Sequence, residues 1–425
     1  MNKVYSIREY GSFLPERTVP GFVTLPQKTF DQLEAFLLRA PENRAADILS
    51  LSIQRGLGKV ISAKNYVGVL ALSDGTVIEI LPKIVSAADD SDSARTKELL
   101  LKMLRVLPDA PFRQFQTASL DVQKTNLLEI FIQMFLEEVF ALVKRGLRCG
   151  YTPVEENSQF FHGKLLVSQQ LRQNLIHKER SYIVYDAFTA DRPENRLLKA
   201  TLLHLLALSV SFRNRNDLRL LLRAFADIPA STNYPADFSR CTADRNTRDY
   251  DPAIRLCQVF LSGKSFTSFS GSADTIALLF PMEVLFERYT AALLRNILPD
   301  EEFSLAVQDH RFSLFDFPKN KFPLRPDLVL TRRSDGAAFI LDTKWKLLDI
   351  RKPNFGISQT DMYQMFAYQK KYSAKSVTLL YPQCADQPAL EQCDFRASDG
   401  VLVRVRFVDL FTPEKSLQEI SRALA

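Results

Sequence analysis

The sequence predicts a multidomain α+β protein: a small β-rich front, a mainly helical middle and a C-terminal α/β core on a mixed sheet. Three observations lead there. The 425 residues exceed what one hydrophobic core usually serves and suit two or three domains. A hairpin signal stands in residues 66–82. From residue 271 onward the periodicities run α-β-β-β-α-β-β, the order of helices packed on a mixed sheet. The expected segments are 1–90, 91–270 and 271–425.

In the front segment, residues 30–40 (FDQLEAFLLRA) carry apolar positions at helical spacing, and a helical-looking stretch follows at 48–53. Beyond them YVGVLAL, the turn SDG and TVIEILP form two apolar, β-prone runs around Asp74-Gly75, which is a β-hairpin signature.

Residues 86–96 (SAADDSDSART) are polar, acidic and small, the composition of an exposed linker. In residues 126–143, Glu129, Gln133, Glu137 and Glu138 interrupt an apolar run. That suits a largely buried helix better than a membrane span. A second helix, 195–208, is opened by Asp191-Arg192-Pro193-Glu194, a start signal. Asp191 and Asn195 suit the free amides of that start. Arg213, Arg215, Arg219 and Arg223 cluster on a further helical stretch and read as a solvated basic face.

A small-residue stretch, 268–273 (SFSGSA), marks the next change. Residues 276–297 predict a helix, with Met282, Leu285, Phe286, Tyr289, Leu293 and Leu294 at helical steps. An apolar run ends near Val307. Strands are expected at 326–330 and 337–345, a helix at 361–372, and strands at 376–381 and 401–408.

Composition excludes several classes. With 46% hydrophobic and 24% charged residues and only 14 Gly, collagen-like and low-complexity readings fall away. No run of 18 residues lacks charge, and Glu9 stands where a signal peptide needs an apolar stretch, so a cytoplasmic protein without a membrane span is expected. Cysteines at 149, 241, 257, 384 and 393 are too widely spaced for a disulfide framework or a zinc motif. The scattered histidines, His162 and His177 among them, lack ligand-spaced partners. The formal charge of +6 lies outside the last segment: residues 271–425 hold 20 Lys+Arg and 20 Asp+Glu, the rest 35 against 29. This permits an acidic partner without requiring one.

The sharpest chemical feature is Arg325-Pro326-Asp327-Leu-Val-Leu, the turn TRRSDG, and Ala337-Ala-Phe-Ile-Leu-Asp342-Thr343-Lys344. A hairpin centred between Ser334 and Asp335 sets Asp327 opposite Asp342; one centred between Asp335 and Gly336 sets it opposite Lys344. Either register brings Asp327 beside the others, and alternation puts Asp342 and Lys344 on one face. Two acids on an apolar hairpin suit a divalent cation between them, and hard oxygen ligands suit Mg²⁺. A cation lowers the pKa of bound water, and Lys344 can orient that water or stabilise charge on a phosphate. This is the chemistry of phosphodiester hydrolysis.

The pattern resembles the PD-(D/E)xK nuclease superfamily, with Pro326-Asp327 as the PD and Asp342-Thr343-Lys344 as the (D/E)xK. The resemblance implies a nuclease core for the last segment, with catalytic Asp327, Asp342, Lys344 and Glu287. Metal would be held by Asp327, Asp342, Glu287 and the backbone of Thr343. Glu287, in Leu-Phe-Glu-Arg-Tyr, is preferred over Glu283 one turn earlier. Gln364 and Tyr368 form a Q-x-x-x-Y spacing seen in several branches, and share a helix face as supporting residues.

Further segments narrow the likeness to McrC-like nuclease subunits of McrBC modification-dependent restriction systems. They are the hairpin ending Ile-Glu-Ile-Leu-Pro-Lys83, Phe161-His-Gly163-Lys-Leu-Leu, and Phe188-Thr-Ala-Asp191-Arg-Pro-Glu-Asn195-Arg196-Leu-Leu-Lys199. With the nuclease motifs, the likeness runs over roughly the whole chain. It implies an Mg²⁺-dependent DNA endonuclease subunit acting on DNA with modified cytosine. It also implies an AAA+ GTPase partner that binds the GTP and whose hydrolysis this chain stimulates, docked by the basic N-terminal two-thirds of the chain. In keeping with this, Gln258-Val-Phe-Leu-Ser-Gly263-Lys264-Ser265 ends like a P-loop but lacks its first Gly. Two rival readings are a stand-alone repair or recombination nuclease and a non-catalytic, GTPase-stimulating adaptor.

Overall fold

The computed structural model describes residues 3–38, 45–72, 74–84, 90–106, 125–241, 248–262, 276–317, 321–349, 351–383 and 393–423. The stretch at 268–273 and the Gly263-Lys264-Ser265 end of the P-loop-like segment lie outside them. By its internal contacts the chain forms two compact units. One takes the described residues of Met1–Leu127 and Ala277–Ala425, the other those of Leu128–Lys264. The front and last segments read from the sequence thus lie in one unit.

The first unit opens with β1 (Val4–Arg8), β2 (Ser12–Pro15), β3 (Phe22–Leu25), α1 (Gln27–Leu38), α2 (Ala45–Ile48), β4 (Leu49–Gln54), β5 (Gly58–Ala63), β6 (Tyr66–Ala71), β7 (Val77–Leu81) and α3 (Asp90–Arg105). The expected hairpin is β6–β7, antiparallel with Ala71 opposite Val77. Phe30, Leu33 and Phe36 of α1 share one core cluster with Phe13, Ile61, Leu70, Ile78 and Ile80. Burying each such side chain is worth roughly 1.5–3 kcal/mol.

Two expectations in this region are corrected. Residues 49–54 are a strand rather than a helix: Leu-Ser-Leu-Ser-Ile-Gln alternates with a period of two and pairs with β5, a pattern that a six-residue window confuses with helix. The linker expected at 86–96 gives way to helix from Asp90, because the buried Leu100, Met103 and Leu104 anchor a helix that extends back through its polar turns.

The second unit contains α4 (Leu127–Arg145), β8 (Gly150–Ser158), β9 (Lys164–Leu165), α5 (Val167–Gln173), β10 (Ser181–Thr189), α6 (Pro193–Leu208), α7 (Phe212–Ala224), α8 (Tyr234–Arg240) and α9 (Asp251–Ser262). The two long helices stand where expected. Between them, however, β8, β10 and β9 form a three-stranded sheet that the reading of a mainly helical middle omitted. Most of its strand positions are only partly buried, with Ile183 the one buried residue of β8 and β10, so the apolar alternation that marks a strand with one covered face is weak. Asp191 and Asn195 do not cap α6 either. Asp191 pairs with Arg196, while Asn195 donates to the carbonyls of Arg148 and Ala190 at 3.1 and 2.8 Å. Arg213, Arg219 and Arg223 lie on exposed positions of α7.

The first unit resumes with β11 (Ile276–Pro281), α10 (Met282–Ile297), β12 (Phe303–Val307), β13 (Ser313–Phe315), β14 (Lys321–Pro323), β15 (Leu328–Arg332), β16 (Ala338–Thr343), α11 (Gln359–Tyr372), β17 (Ser376–Pro382), β18 (Cys393–Arg396), β19 (Leu402–Val408) and α12 (Pro413–Arg422). The helix expected over 276–297 starts only at Met282. Ile276–Phe280 is buried throughout as a strand, and Pro281 sits at the helix N-cap position because a proline inside a helix would break it. β11 joins the front of the chain, giving the sheet order β1-β7-β6-β11. A side-chain Cβ at Gly68 would stand 2.0 Å from the Leu278 carbonyl oxygen, so only glycine allows this approach.

The site is carried by a six-stranded mixed sheet of order β12-β15-β16-β17-β19-β18. β15 and β16 are antiparallel, with Leu328 opposite Leu341, while β16, β17 and β19 run parallel. Met365, Tyr368 and Tyr372 of α11 pack with Ile340, Val377, Leu379 and Val403, which places α11 over the face that Asp342 shares.

Candidate active site

The hairpin register brings the sequence-marked acids together. One step beyond the Leu328–Leu341 pair sets Asp327 opposite Asp342, the first of the two registers left open by the sequence. Thr343 then binds Asp327 twice: its backbone N–H and its hydroxyl each donate to Asp327 Oδ2 at 2.7 Å. A carboxylate held by two donors is fixed in direction. This role of the Thr343 side chain had no sequence signal, since the middle position of the motif is variable by definition.

Asp342 is 1% exposed. Lys344 Nζ lies 2.6 Å from its Oδ2, yet that oxygen is buried without a well-formed hydrogen bond. Burial first, and then repulsion from Asp327, raise the Asp342 carboxyl well above its ordinary value, against the pull of Lys344. Burial alone would lower the Lys344 ammonium, but Asp342, Asp361 and Asp327 together outweigh it and hold it above its ordinary value. The proton between the two therefore stays on the lysine.

Lys344 is braced from α11. Its ammonium donates to Gln364 Oε1 at 3.4 Å, Gln364 Nε2 donates to Tyr368 Oη at 2.7 Å, and Tyr368 Oη donates to the Arg325 carbonyl at 2.9 Å. Gln364 and Tyr368 thus form one chain from the lysine to the residue two before Asp327. Burial and the charge of Asp342 hold the Tyr368 phenol above its ordinary value, so it stays protonated.

Glu287 of α10 reaches the group through a residue that sequence reading missed. Gln308 Nε2 donates to Glu287 Oε1 at 2.6 Å, and Gln308 N–H donates to the Asp327 carbonyl at 2.8 Å. Gln308 adopts φ 53°, a left-handed conformation uncommon outside glycine. Burial, followed by the charge of Asp327, raises the Glu287 carboxyl. Glu283 instead lies near Glu9 and Lys83, adding its charge to both. Asp361, also unmarked by the sequence, acts on Asp342 and Lys344 from the first turn of α11.

Among the described residues no three His, Cys, Asp or Glu side chains converge as a ready-made metal cluster. The donors that are present are hard oxygens: Asp327, Asp342 with its Oδ2 beside the Lys344 ammonium, and Glu287 nearby. That set fits a divalent cation which keeps part of its water shell. His162 packs at a tilt against Tyr185, ring centroids 4.3 Å apart, and His177 lies 3.1 Å from Glu179, both in the other unit. No described helix is long and apolar enough to cross a membrane.

Comparison with known proteins adds three findings. A family model described as "McrBC 5-methylcytosine restriction system component" matches residues 61–382. The type IV methyl-directed restriction enzyme EcoKMcrBC of Escherichia coli (strain K12) is 22% identical over 270 residues, covering 60% of this chain and 76% of that protein. Two solved structures share the fold. A half-complex of Thermococcus gammatolerans McrB AAA+ hexamers with bound McrC matches at TM-score 0.72 and 18% identity over 100% of both chains. The McrBC complex of the same organism matches at TM-score 0.50 and 21% identity, over 71% of this chain and 90% of that one.

Proposed function

The chain belongs to the McrBC 5-methylcytosine restriction system component family, and from that premise we propose that it is the McrC-like nuclease subunit. In this reading it has a PD-(D/E)xK core and hydrolyses DNA phosphodiester bonds with Mg²⁺. It does so when assembled with an AAA+ GTPase partner, whose GTP hydrolysis it stimulates, on DNA containing modified cytosine.

One observation carries the reading: Asp327, locked by Thr343, stands opposite a buried Asp342 that is ion-paired with Lys344. Structural salt bridges rarely need a second carboxylate beside a buried one, because the repulsion has no compensation in the fold. Asp327, Asp342 and Glu287, with the backbone of Thr343, would hold Mg²⁺. When bound, the cation supplies charge stabilisation on the phosphate and a more acidic water. Lys344 keeps its proton and directs it toward the attacking water or the phosphate oxygen. Gln364 and Tyr368 fix the lysine, and Gln308 ties Glu287 to the Asp327 backbone. The absent first glycine of the P-loop-like segment supports assigning GTP to the partner, as does the relative in which McrC is bound to McrB AAA+ hexamers.

The test is reconstitution with the AAA+ GTPase and a modified-cytosine duplex. Asp342→Ala is expected to abolish cleavage while complex formation and GTP hydrolysis persist. Undiminished cleavage would sink the site, and cleavage by the chain alone without GTP would favour a stand-alone nuclease.

A further inference from the structure

Trp345 follows Lys344 directly and is held from the opposite end of the chain. Its indole N–H donates to both oxygens of Glu9, at 2.9 and 3.0 Å. Its carbonyl accepts from the Lys83 ammonium at 3.3 Å. The same ammonium lies over the Tyr10 ring at 4.5 Å and the Trp345 ring at 5.9 Å, a cation–π placement. Glu9 accepts the Lys83 backbone N–H at 3.1 Å, so the residues just beyond β1 and β7 close on each other as well as on Trp345. The indole also packs on Phe286, ring centroids 5.5 Å apart, and Phe286 precedes Glu287 on α10.

Glu9 is 4% and Trp345 5% exposed, so this is an internal device rather than a surface contact. A buried carboxylate is costly, and an apolar side chain would fill the same space more cheaply. What the carboxylate adds is direction: two oxygens fix one N–H.

The position of Trp345 gives that direction a use. Lys344 N–H reaches the Leu380 carbonyl at 2.8 Å, and the chain then turns, with Lys346 N–H on the Lys344 carbonyl at 2.9 Å. Lys344 thus stands where the strand ends, and its neighbour on the opposite face is pinned by the front of the molecule. We propose that Glu9 is a positioning residue for the candidate active site: through Trp345 it sets the placement of Lys344, and through Phe286 that of Glu287. The proposal rests on the nuclease reading above. A misplacement near 1 Å can cost about 100-fold in rate, so a distant clamp of this kind matters to turnover more than to affinity.

The test uses the full chain assembled with its GTPase partner, a modified-cytosine DNA duplex and Mg²⁺. Glu9→Ala is expected to lower kcat about tenfold or more, with KM for DNA within about twofold. Glu9→Gln keeps an acceptor for the indole and should recover most of kcat. Trp345→Phe should match the Glu9→Ala loss, and the double variant should be no slower than the slower single one. Because the protein has one tryptophan, its emission reads the contact independently of cleavage: Glu9→Ala should shift the emission and expose the indole to acrylamide, Glu9→Gln much less. Full kcat in Glu9→Ala with shifted emission overturns the proposal and leaves the nuclease reading standing, as do losses that multiply in the double variant. Cleavage that survives Asp342→Ala overturns both. Should Glu9→Ala fail to fold, Trp345→Phe decides: an unchanged kcat with an unchanged melting temperature refutes the clamp, and a lowered kcat at that melting temperature sustains it.

Discussion

Thr343 holds Asp327 by two bonds to a single oxygen, one from its backbone and one from its side chain, each 2.7 Å long. The backbone bond does not depend on the Thr343 side chain, so the hydroxyl can be removed alone. Thr343→Val keeps the β-branched shape and deletes one donor. It should destabilise the fold by about 1 kcal/mol and lower cleavage severalfold, with Thr343→Ser near wild type. Steady-state cleavage and chemical denaturation of the three proteins check this; equal activity in all three would assign the orientation of Asp327 to the backbone alone.

Tyr368 Oη joins Gln364 to the Arg325 carbonyl. Tyr368→Phe leaves the Arg325 carbonyl and the Gln364 amide without that partner, at about 1 kcal/mol. It also frees Gln364 from one side, so kcat should fall several-fold while DNA affinity holds. Calorimetric unfolding and single-turnover cleavage measure the two effects separately. A variant as stable and fast as wild type would show the chain from lysine to Arg325 to be incidental.

Glu9 is expected to make stability depend on pH. Burial raises its carboxyl from 4.5 to about 7, helped by the charge of Glu283 and opposed by Lys83 and by hydrogen bonds from the Lys83 N–H and Trp345. Tyr10 lies in the same cluster and feels the charge of Glu9. The folded state therefore holds the Glu9 proton more tightly than the unfolded state. Its contribution is complete below about 4.5 and is lost as pH rises through about 7, on the order of 3 kcal/mol in all. Melting temperatures of wild type and Glu9→Gln should diverge in favour of the variant between about pH 4.5 and about pH 7. A constant gap across that window contradicts the assignment.

Gly68 is the point where β6 and β11 meet most closely. It has φ +134°, and an added Cβ would fall 2.0 Å from the Leu278 oxygen. Gly68→Ala combines backbone strain with a clash against main chain that cannot yield, and should cost roughly 3 kcal/mol or more. Gly146 has φ +90° with nothing within 4 Å, so Gly146→Ala serves as a control at about 1 kcal/mol. Soluble yield and urea midpoints distinguish them; similar midpoints would remove Gly68 from the β6–β11 junction.

Much of the site was legible because its residues are neighbours along the chain. Alternation alone places Asp342 and Lys344 on one face, and helical spacing alone pairs Gln364 with Tyr368. The hairpin of β6 and β7 was equally plain, since strand and turn signals are local. The register of β15 against β16 was not. It is set at the turn, where Gly336 takes φ +69° and Asp335 accepts from the Ala337 N–H at 3.1 Å and from the Arg332 guanidinium.

The strand identity of 276–281 and the sheet in 150–189 were hidden for different reasons: one is buried throughout and the other only partly buried along most of its length, so neither shows a clear period. By itself, the sequence determined which residue types could do chemistry and which of them share a face, because the periods of strand and helix are properties of the backbone. Only the tertiary structure decided that Gln308 joins Glu287 to Asp327, and that Glu9, 336 residues away, grips Trp345. Those contacts depend on which surfaces exclude water together, and no local pattern in the chain records that choice.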